Sequence, residues 1–133
     1  MKVSDFMSTK VIFVPPSTPI RKVMELLIEK KISGVPIVDK ENRLLGLVTE
    51  GDILASESLT VSLMDGREPL LKIDTEPVEK IMKRQVITIE PEAHLTKACG
   101  LINVYRFKRL PVVDAHRQVV GILSRRDVIR AML

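Results

Sequence analysis

A chain of 133 residues, 45% hydrophobic and 29% charged, has enough apolar side chains for a packed core and the polarity of a solvated surface rather than of a disordered segment. A single cysteine excludes an internal disulfide and a cysteine-based zinc cage and points to a reducing, cytoplasmic setting; "MKVSDFMSTK" lacks the apolar core of a signal peptide, and no apolar run approaches the roughly 18 residues that cross a bilayer. A formal charge of +4 raises the question of nucleic acid, but three Phe, one Tyr and no Trp offer few platforms for bases to stack on, so nucleic-acid binding is disfavoured.

In chain order, "VIFV" (11–14) is a short β-branched run and reads as a strand. "PPSTP" then breaks the chain and opens a helix, with Pro19 just inside its start. Ile20, Val23, Met24 and Leu27 follow at helical spacing, and "EKK" (29–31) reads as the solvated helix end. "GVPIVD", the polar turn "KENR" and "LLGLVT" read as two hairpin strands, apolar enough to be buried on both faces, and Thr49 opens a second helix, "EGDILAS". Residues 57–77 read as a connector, with a turn expected at "MDGREP" and some helix expected around Leu59–Met64. The same series then returns: "VITI", "EPE", a helix with Leu95, Ala98, Cys99 and Ile102 on its apolar stripe, "RLPVVD", "AHRQ", "VVGILS" and "RRDVIRAML".

The return is a repeat in one register. An offset of 75 residues places Met7 on Met82, Pro16 on Pro91, Pro36 on Pro111, Gly46 on Gly121 and Asp52 on Asp127, without a gap. The domains expected are therefore a first repeat at 1–56, the connector at 57–77 and a second repeat at 78–133. One strand–helix–strand–strand–helix unit is too small to bury its own sheet, so the two are expected to pack by pseudo-two-fold symmetry into one module of the α/β (α+β) class. Charge divides unevenly: residues 1–77 carry ten Lys/Arg against twelve Asp/Glu, and residues 78–133 eleven against five.

Both copies contain Gly-x-x-Thr/Ser-x-x-Asp, as "GLVTEGD" and "GILSRRD". The simplest role for Asp52 and Asp127 is the acid of a capping box begun by Thr49 and Ser124, although Glu is the usual acid there and Asp reaches back less far. The alternative is ligand binding: a carboxylate at a strand-to-helix junction, beside a hydroxyl residue, suits a vicinal diol such as a ribose. Phosphates would then need cations, and the second copy supplies Arg106, Lys108, Arg109, Arg125 and Arg126, where the first has few. His94 and His116 read as surface histidines, Cys99 as core packing, and Tyr105 and Phe107 as packing rather than base stacking. No nucleophile–base pair, metal-ligand cluster or phosphate-binding glycine loop is present in the sequence, so an enzyme is not expected.

The paired stretches "MSTKVIFVPPSTPIRKVMELLIEKKISGVPIVDKENRLLGLVTEGDIL" and "MKRQVITIEPEAHLTKACGLINVYRFKRLPVVDAHRQVVGILSRRDVI" resemble a tandem pair of cystathionine-β-synthase (CBS) domains, the Bateman module. The resemblance covers nearly the whole chain except the connector. It implies a regulatory sensor that binds AMP, ADP or ATP, with S-adenosylmethionine ranked behind them, in two clefts between the repeats. Modules of this kind associate into disc-like homodimers and act on an effector protein. It implies that Thr49 with Asp52 and Ser124 with Asp127 hold the riboses. Ile87 and Leu47 would line the base of the Asp52 cleft, and Ile12 and Ile122 that of the Asp127 cleft. Lys108, Arg109 and Arg126 would meet phosphate; Ser33, Gly34 and Gly51 stand at those places in the first copy, so the two clefts are expected to be unequal. The Asp52 cleft, borrowing cations from the second repeat, is expected to favour the more highly charged nucleotide. The alternative within the same fold is a ligand-free scaffold or interaction module that mediates oligomerisation.

Overall fold

The computed structural model describes residues 1–56 and 75–133, so the expected turn at "MDGREP" and helix around Leu59–Met64 lie outside the described residues. Its regular elements are α1 (Ile20–Lys30), β1 (Gly34–Val38), β2 (Leu44–Thr49), α2 (Glu50–Leu54), α3 (Leu95–Tyr105), β3 (Arg109–Val113), β4 (Val119–Ser124) and α4 (Arg125–Ala131). Short 3-10 turns at Val3–Asp5 and Val78–Lys80 stand 75 residues apart and extend the repeat toward the N-terminus of each copy. The offset reaches the backbone conformation as well. Among the described residues, the non-glycine residues with positive φ are Lys31 and Arg106, which end α1 and α3, and Asn42 and Arg117 in the hairpin turns. Pro19 is the N-cap of α1 rather than its first residue, a shift of one position.

The chain forms two compact units. The first comprises Met1–Ile12, Glu41–Leu44 and Ile87–Leu133. Its antiparallel β3–β4 hairpin pairs Arg109 with Ser124, Leu110 with Leu123, Pro111 with Ile122 and Val112 with Gly121, with a bulge before Val113. Ser8 exchanges two 2.9 Å backbone hydrogen bonds with Ile122, and Val3 N–H donates to the Ala93 carbonyl at 2.9 Å. The core is Val3, Ile89, Leu95, Ala98, Leu110, Val112, Leu123 and Val128. The second unit comprises Phe13–Lys40 and Leu45–Val86. There Lys83 exchanges two 2.9 Å bonds with Leu47, and Val78 N–H donates to the Thr18 carbonyl at 2.8 Å. Its core is Val14, Ile20, Val23, Leu27, Val35, Ile37, Val48, Ile53 and Val78. Apart from Leu27, each core position matches one in the other unit at the same offset. Val3 and Val78 are exchanged: each fills the core whose other members come from the opposite copy. Each buried Val, Ile or Leu contributes on the order of 1.5–3 kcal/mol, and neither copy closes its core alone.

Three expectations are corrected. "VIFV" and "VITI" are not strands; each touches its hairpin by one parallel bridge, Val14 to Ile37 and Ile89 to Val112. Proline is the cause. The bridge uses Val14 N–H to the Pro36 carbonyl and Val38 N–H to the Val14 carbonyl. The next rungs need N–H groups at Pro16 and Pro36, which have none. Pro91 and Pro111 cut the second ladder in the same way. Second, β1 and β3 are buried after their first residue, but β2 and β4 alternate, leaving Leu45, Leu47 and Thr49, and Val120, Ile122 and Ser124, half-buried. Third, Cys99 is exposed, because α3 turns Leu95 and Ala98 to the core.

Gly46 and Gly121 are needed for close approach. A Cβ at Gly46 would stand 2.8 Å from the Lys83 carbonyl oxygen, and one at Gly121 would stand 2.5 Å from Met7 Sδ. On α3, a Cβ at Gly100 would meet nothing within 4 Å. Gly46→Ala should therefore lower stability by about 1–3 kcal/mol through overpacking. Gly100→Ala should raise it by about 1 kcal/mol, because Ala is the better helix former. Urea unfolding of the two variants checks both signs.

Candidate functional site

The half-buried face of β2 presents Leu47 and Thr49, and the chain then turns into α2. Thr49 is the N-cap: its Oγ1 accepts from Asp52 N–H at 3.3 Å, and Asp52 Oδ2 accepts from Thr49 N–H at 2.8 Å and from the Thr49 hydroxyl at 3.0 Å. Asp therefore reaches back fully, contrary to the expectation that it reaches back less far than Glu. The other oxygen, Oδ1, stands 3.5 Å from Lys83 Nζ, and the Asp52 side chain is 9% exposed. The Ser33 carbonyl accepts from Glu50 N–H at 3.0 Å and so lies beside the start of α2. A Cβ at the adjoining Gly34 would be 3.1 Å from the Val48 carbonyl and 3.3 Å from Thr49 Cγ2.

The other unit builds the same arrangement from Ile122, Ser124 and Asp127. Asp127 Oδ2 accepts from Ser124 N–H at 2.8 Å, and Asp127 N–H donates to Ser124 Oγ at 3.1 Å. Here Oδ1 stands 3.2 Å from Arg130 Nη1, one turn further along α4, and the Asp127 side chain is 13% exposed. Lys108 holds the place of Ser33, its carbonyl accepting from Arg125 N–H at 3.1 Å. Arg109 is the strand partner of Ser124, and Arg126 is exposed in the first turn of α4. The second carboxylate thus has Lys108, Arg109, Arg126 and Arg130 in its own unit. The first has Lys83, in a segment that the repeat assigns to the second copy.

In both units the cap uses Oδ2 of the Asp and leaves Oδ1 to a cation. Ile12 and Ile87 are half-buried, and among the described residues the backbones of 11–13 and 86–88 make no backbone hydrogen bond. Their carbonyls are the acceptors that lose ladder donors to Pro36 and Pro111. Ile12 and Ile87 both lie in the unit of Asp127. Lys83 and Arg130 were not anticipated from sequence. Arg130 was legible as an i,i+3 partner of Asp127; Lys83 gave only the hint that it stands where the first copy has Ser8.

His94, Tyr105 and Phe107 make local structural contacts. His94 caps α3, Nδ1 accepting from Thr96 N–H at 3.2 Å, and His116 is an exposed turn residue. Tyr105 stacks on Phe107 with centroids 5.6 Å apart, and Phe107 packs against the core. Among the described residues, no group of three His, Cys, Asp or Glu side chains could hold a metal ion, and no helix is long and apolar enough to cross a membrane.

Comparison with known proteins gives the same picture. The model of the CBS domain matches residues 3–58 and 78–133. The CBS domain-containing protein CBSX2, chloroplastic, of Arabidopsis thaliana is 31% identical over 150 residues, covering 98% of this chain and 63% of that protein. CBSX1 of the same plant is 29% identical, and 64% of it is covered, so the chain spans a little under two thirds of these relatives. The crystal structure of CBSX2 in complex with AMP superposes with a TM-score of 0.82 at 34% identity, covering 98% of this chain and 95% of that one. The CBS domain pair of protein MJ0100, in complex with 5-methylthioadenosine and S-adenosyl-L-methionine, gives 0.77 at 28% identity, covering 99% and 95%. With both repeats matched by the family model and the doubled capped carboxylate in place, the chain belongs to the CBS-domain family as a tandem pair.

Proposed function

We propose that the chain is a regulatory module that binds adenosine nucleotides, with Asp52 and Asp127 as the two ribose acceptors. The observation that carries this reading is the doubled carboxylate: nearly buried, fixed through Oδ2 by its own cap, and offering Oδ1 to a partner. A fixed, desolvated acceptor suits a diol, since hydrogen bonds to a charged group contribute about 1.5–3 kcal/mol. Thr49 and Ser124 hold the two carboxylates in place. Leu47 and Ile122, on the open faces of β2 and β4, line the base with Ile12 and Ile87, whose free carbonyls suit an exocyclic amine. Lys108, Arg109 and Arg126 serve phosphate, and Ser33 is their uncharged counterpart in the first copy. The relatives crystallised with AMP and with S-adenosyl-L-methionine support adenosine as the common element and leave the phosphate count to this chain's cations. A sensor of this kind acts only if the nucleotide binds two conformations unequally, and an effector protein reads the difference. The single cysteine is in keeping with a reducing, cytoplasmic compartment.

The module is also read as a homodimer. Leu54 and Ile129, equivalent at the offset of 75, are 70% and 60% exposed, and Ile28 and Val104 on α1 and α3 are 78% and 71% exposed. Aliphatic side chains this open on four helices suit a second copy of the chain. A Leu54→Glu/Ile129→Glu double variant should run as a monomer in light scattering at a concentration where the wild type is dimeric; equal masses would count against the dimer.

Calorimetric titration tests the nucleotide reading. Asp52→Glu should change unfolding free energy by less than about 0.5 kcal/mol, because Glu also closes a capping box. It should weaken AMP binding at one site about tenfold or more, because the acceptor oxygen moves by a methylene. Arg126→Ala should weaken ATP more than AMP and should affect the two sites unequally. Equal, unaltered sites in both variants would remove the assignment.

A further inference from the structure

Each carboxylate faces one cation with Oδ1, and the two cations are anchored to different parts of the fold. Asp52 accepts from Thr49 N–H and from the Thr49 hydroxyl on Oδ2 and faces Lys83 with Oδ1. Asp127 accepts only the Ser124 N–H on Oδ2 and faces Arg130 with Oδ1. Lys83 is also held differently from Arg130. Its backbone is fixed to Leu47 by two 2.9 Å bonds, so the lysine is anchored to the strand that delivers Thr49, while its Nζ remains free to swing, the side chain being 70% exposed. Ser8, which has the same two-bond pairing with Ile122 in the other unit, brings no charge to that position.

We propose that Lys83 is a specificity-determining residue: it competes with a ligand's hydroxyls for Asp52 Oδ1 and so selects, at the Asp52 site, against ligands without phosphate. The inference rests on the ribose role proposed for the two carboxylates. A phosphate-free nucleoside must displace the ammonium and offers it no new partner. A nucleotide brings an anion to which the freed lysine, on its flexible stem, can turn. Lys83 thereby makes the Asp52 site a reader of phosphorylation. The largely exposed ion pair sets the scale of the effect: pairs of this kind contribute about 0.2–1 kcal/mol, at most a factor of about five in affinity.

The test is calorimetric titration of adenosine, with AMP in parallel, into the full chain and into Lys83→Ser, Lys83→Arg and Asp52→Ala. One adenosine site of the wild type should be missing in Asp52→Ala. Lys83→Ser should tighten that site by about two- to five-fold and leave the other unchanged. Because Ser occupies the equivalent position in the other unit, this variant keeps a backbone arrangement the fold already uses. Lys83→Arg should behave as the wild type. Raising NaCl from about 0.05 to about 0.5 M should strengthen adenosine binding at that site in the wild type, by screening the Lys83–Asp52 pair, and leave the same site of Lys83→Ser unmoved. If adenosine binding is unchanged, weakened or undetectable in Lys83→Ser while AMP still binds, Lys83 is not a competitor and the proposal is overturned. If neither adenosine nor AMP binds any of the proteins, the nucleotide reading beneath it falls as well.

Discussion

The arrangement around both carboxylates depends on how closely a short segment of chain runs against the outer strand of each hairpin. Met82–Lys83 lies against β2 at Gly46 and Met7–Ser8 against β4 at Gly121, and in both places a Cβ would overlap the passing chain. The contact is reinforced by paired backbone bonds, Lys83 with Leu47 and Ser8 with Ile122. Three consequences follow. The two-stranded hairpin gains a partner on its free edge. The turn just before the segment delivers a valine, Val78 or Val3, to a core built otherwise from the opposite copy. The residue at the contact is held within reach of the helix start where the carboxylate lies, which brings Lys83 to Asp52.

Proline acts in the opposite sense, by withholding pairing. Pro16, Pro36, Pro91 and Pro111 stand where four ladder N–H groups would be, and they reduce two apparent strands to single bridges. Backbone at 11–13 and 86–88 is thereby kept half-buried and out of any sheet. Unpaired carbonyls in such places are costly unless something accepts them as partners, whether water or a ligand. Both copies place prolines at the same positions, so the cost is borne twice on the same pattern.

Much of this was legible in the sequence because the repeat is gapless. α1 and α3 carry their apolar residues at helical spacing, the hairpins are marked by paired Pro and Asp, and the capping boxes are written in Thr49-x-x-Asp52 and Ser124-x-x-Asp127. Three features were misread for physical reasons. "VIFV" and "VITI" have strand composition; Pro16 and Pro91 close each run on one side, but the other side is cut by the partner strand's Pro36 and Pro111, more than 20 residues away in sequence. The alternating burial of β2 and β4 is hidden because the half-buried positions Leu45, Leu47, Val120 and Ile122 are also aliphatic. Cys99 sits at an i+4 spacing from Leu95, but the narrow buried stripe of α3 runs through Leu95 and Ala98 and leaves it outside. Lys83 escaped because a contact between residues 31 positions apart leaves no periodic trace.

The functional account joins these observations. Two carboxylates are held by their own caps, stripped of most solvent and each matched to a cation, and family members of the same architecture have been crystallised with adenosine compounds. The most direct measurement is the number of AMP molecules bound per chain at saturation, by equilibrium dialysis, for the wild type and for an Asp52→Asn/Asp127→Asn variant that keeps a cap acceptor and removes the charge. The account predicts two AMP per wild-type chain and almost none for the variant, with an unaltered circular dichroism spectrum. A variant that is equally folded and binds AMP as fully as the wild type would contradict it.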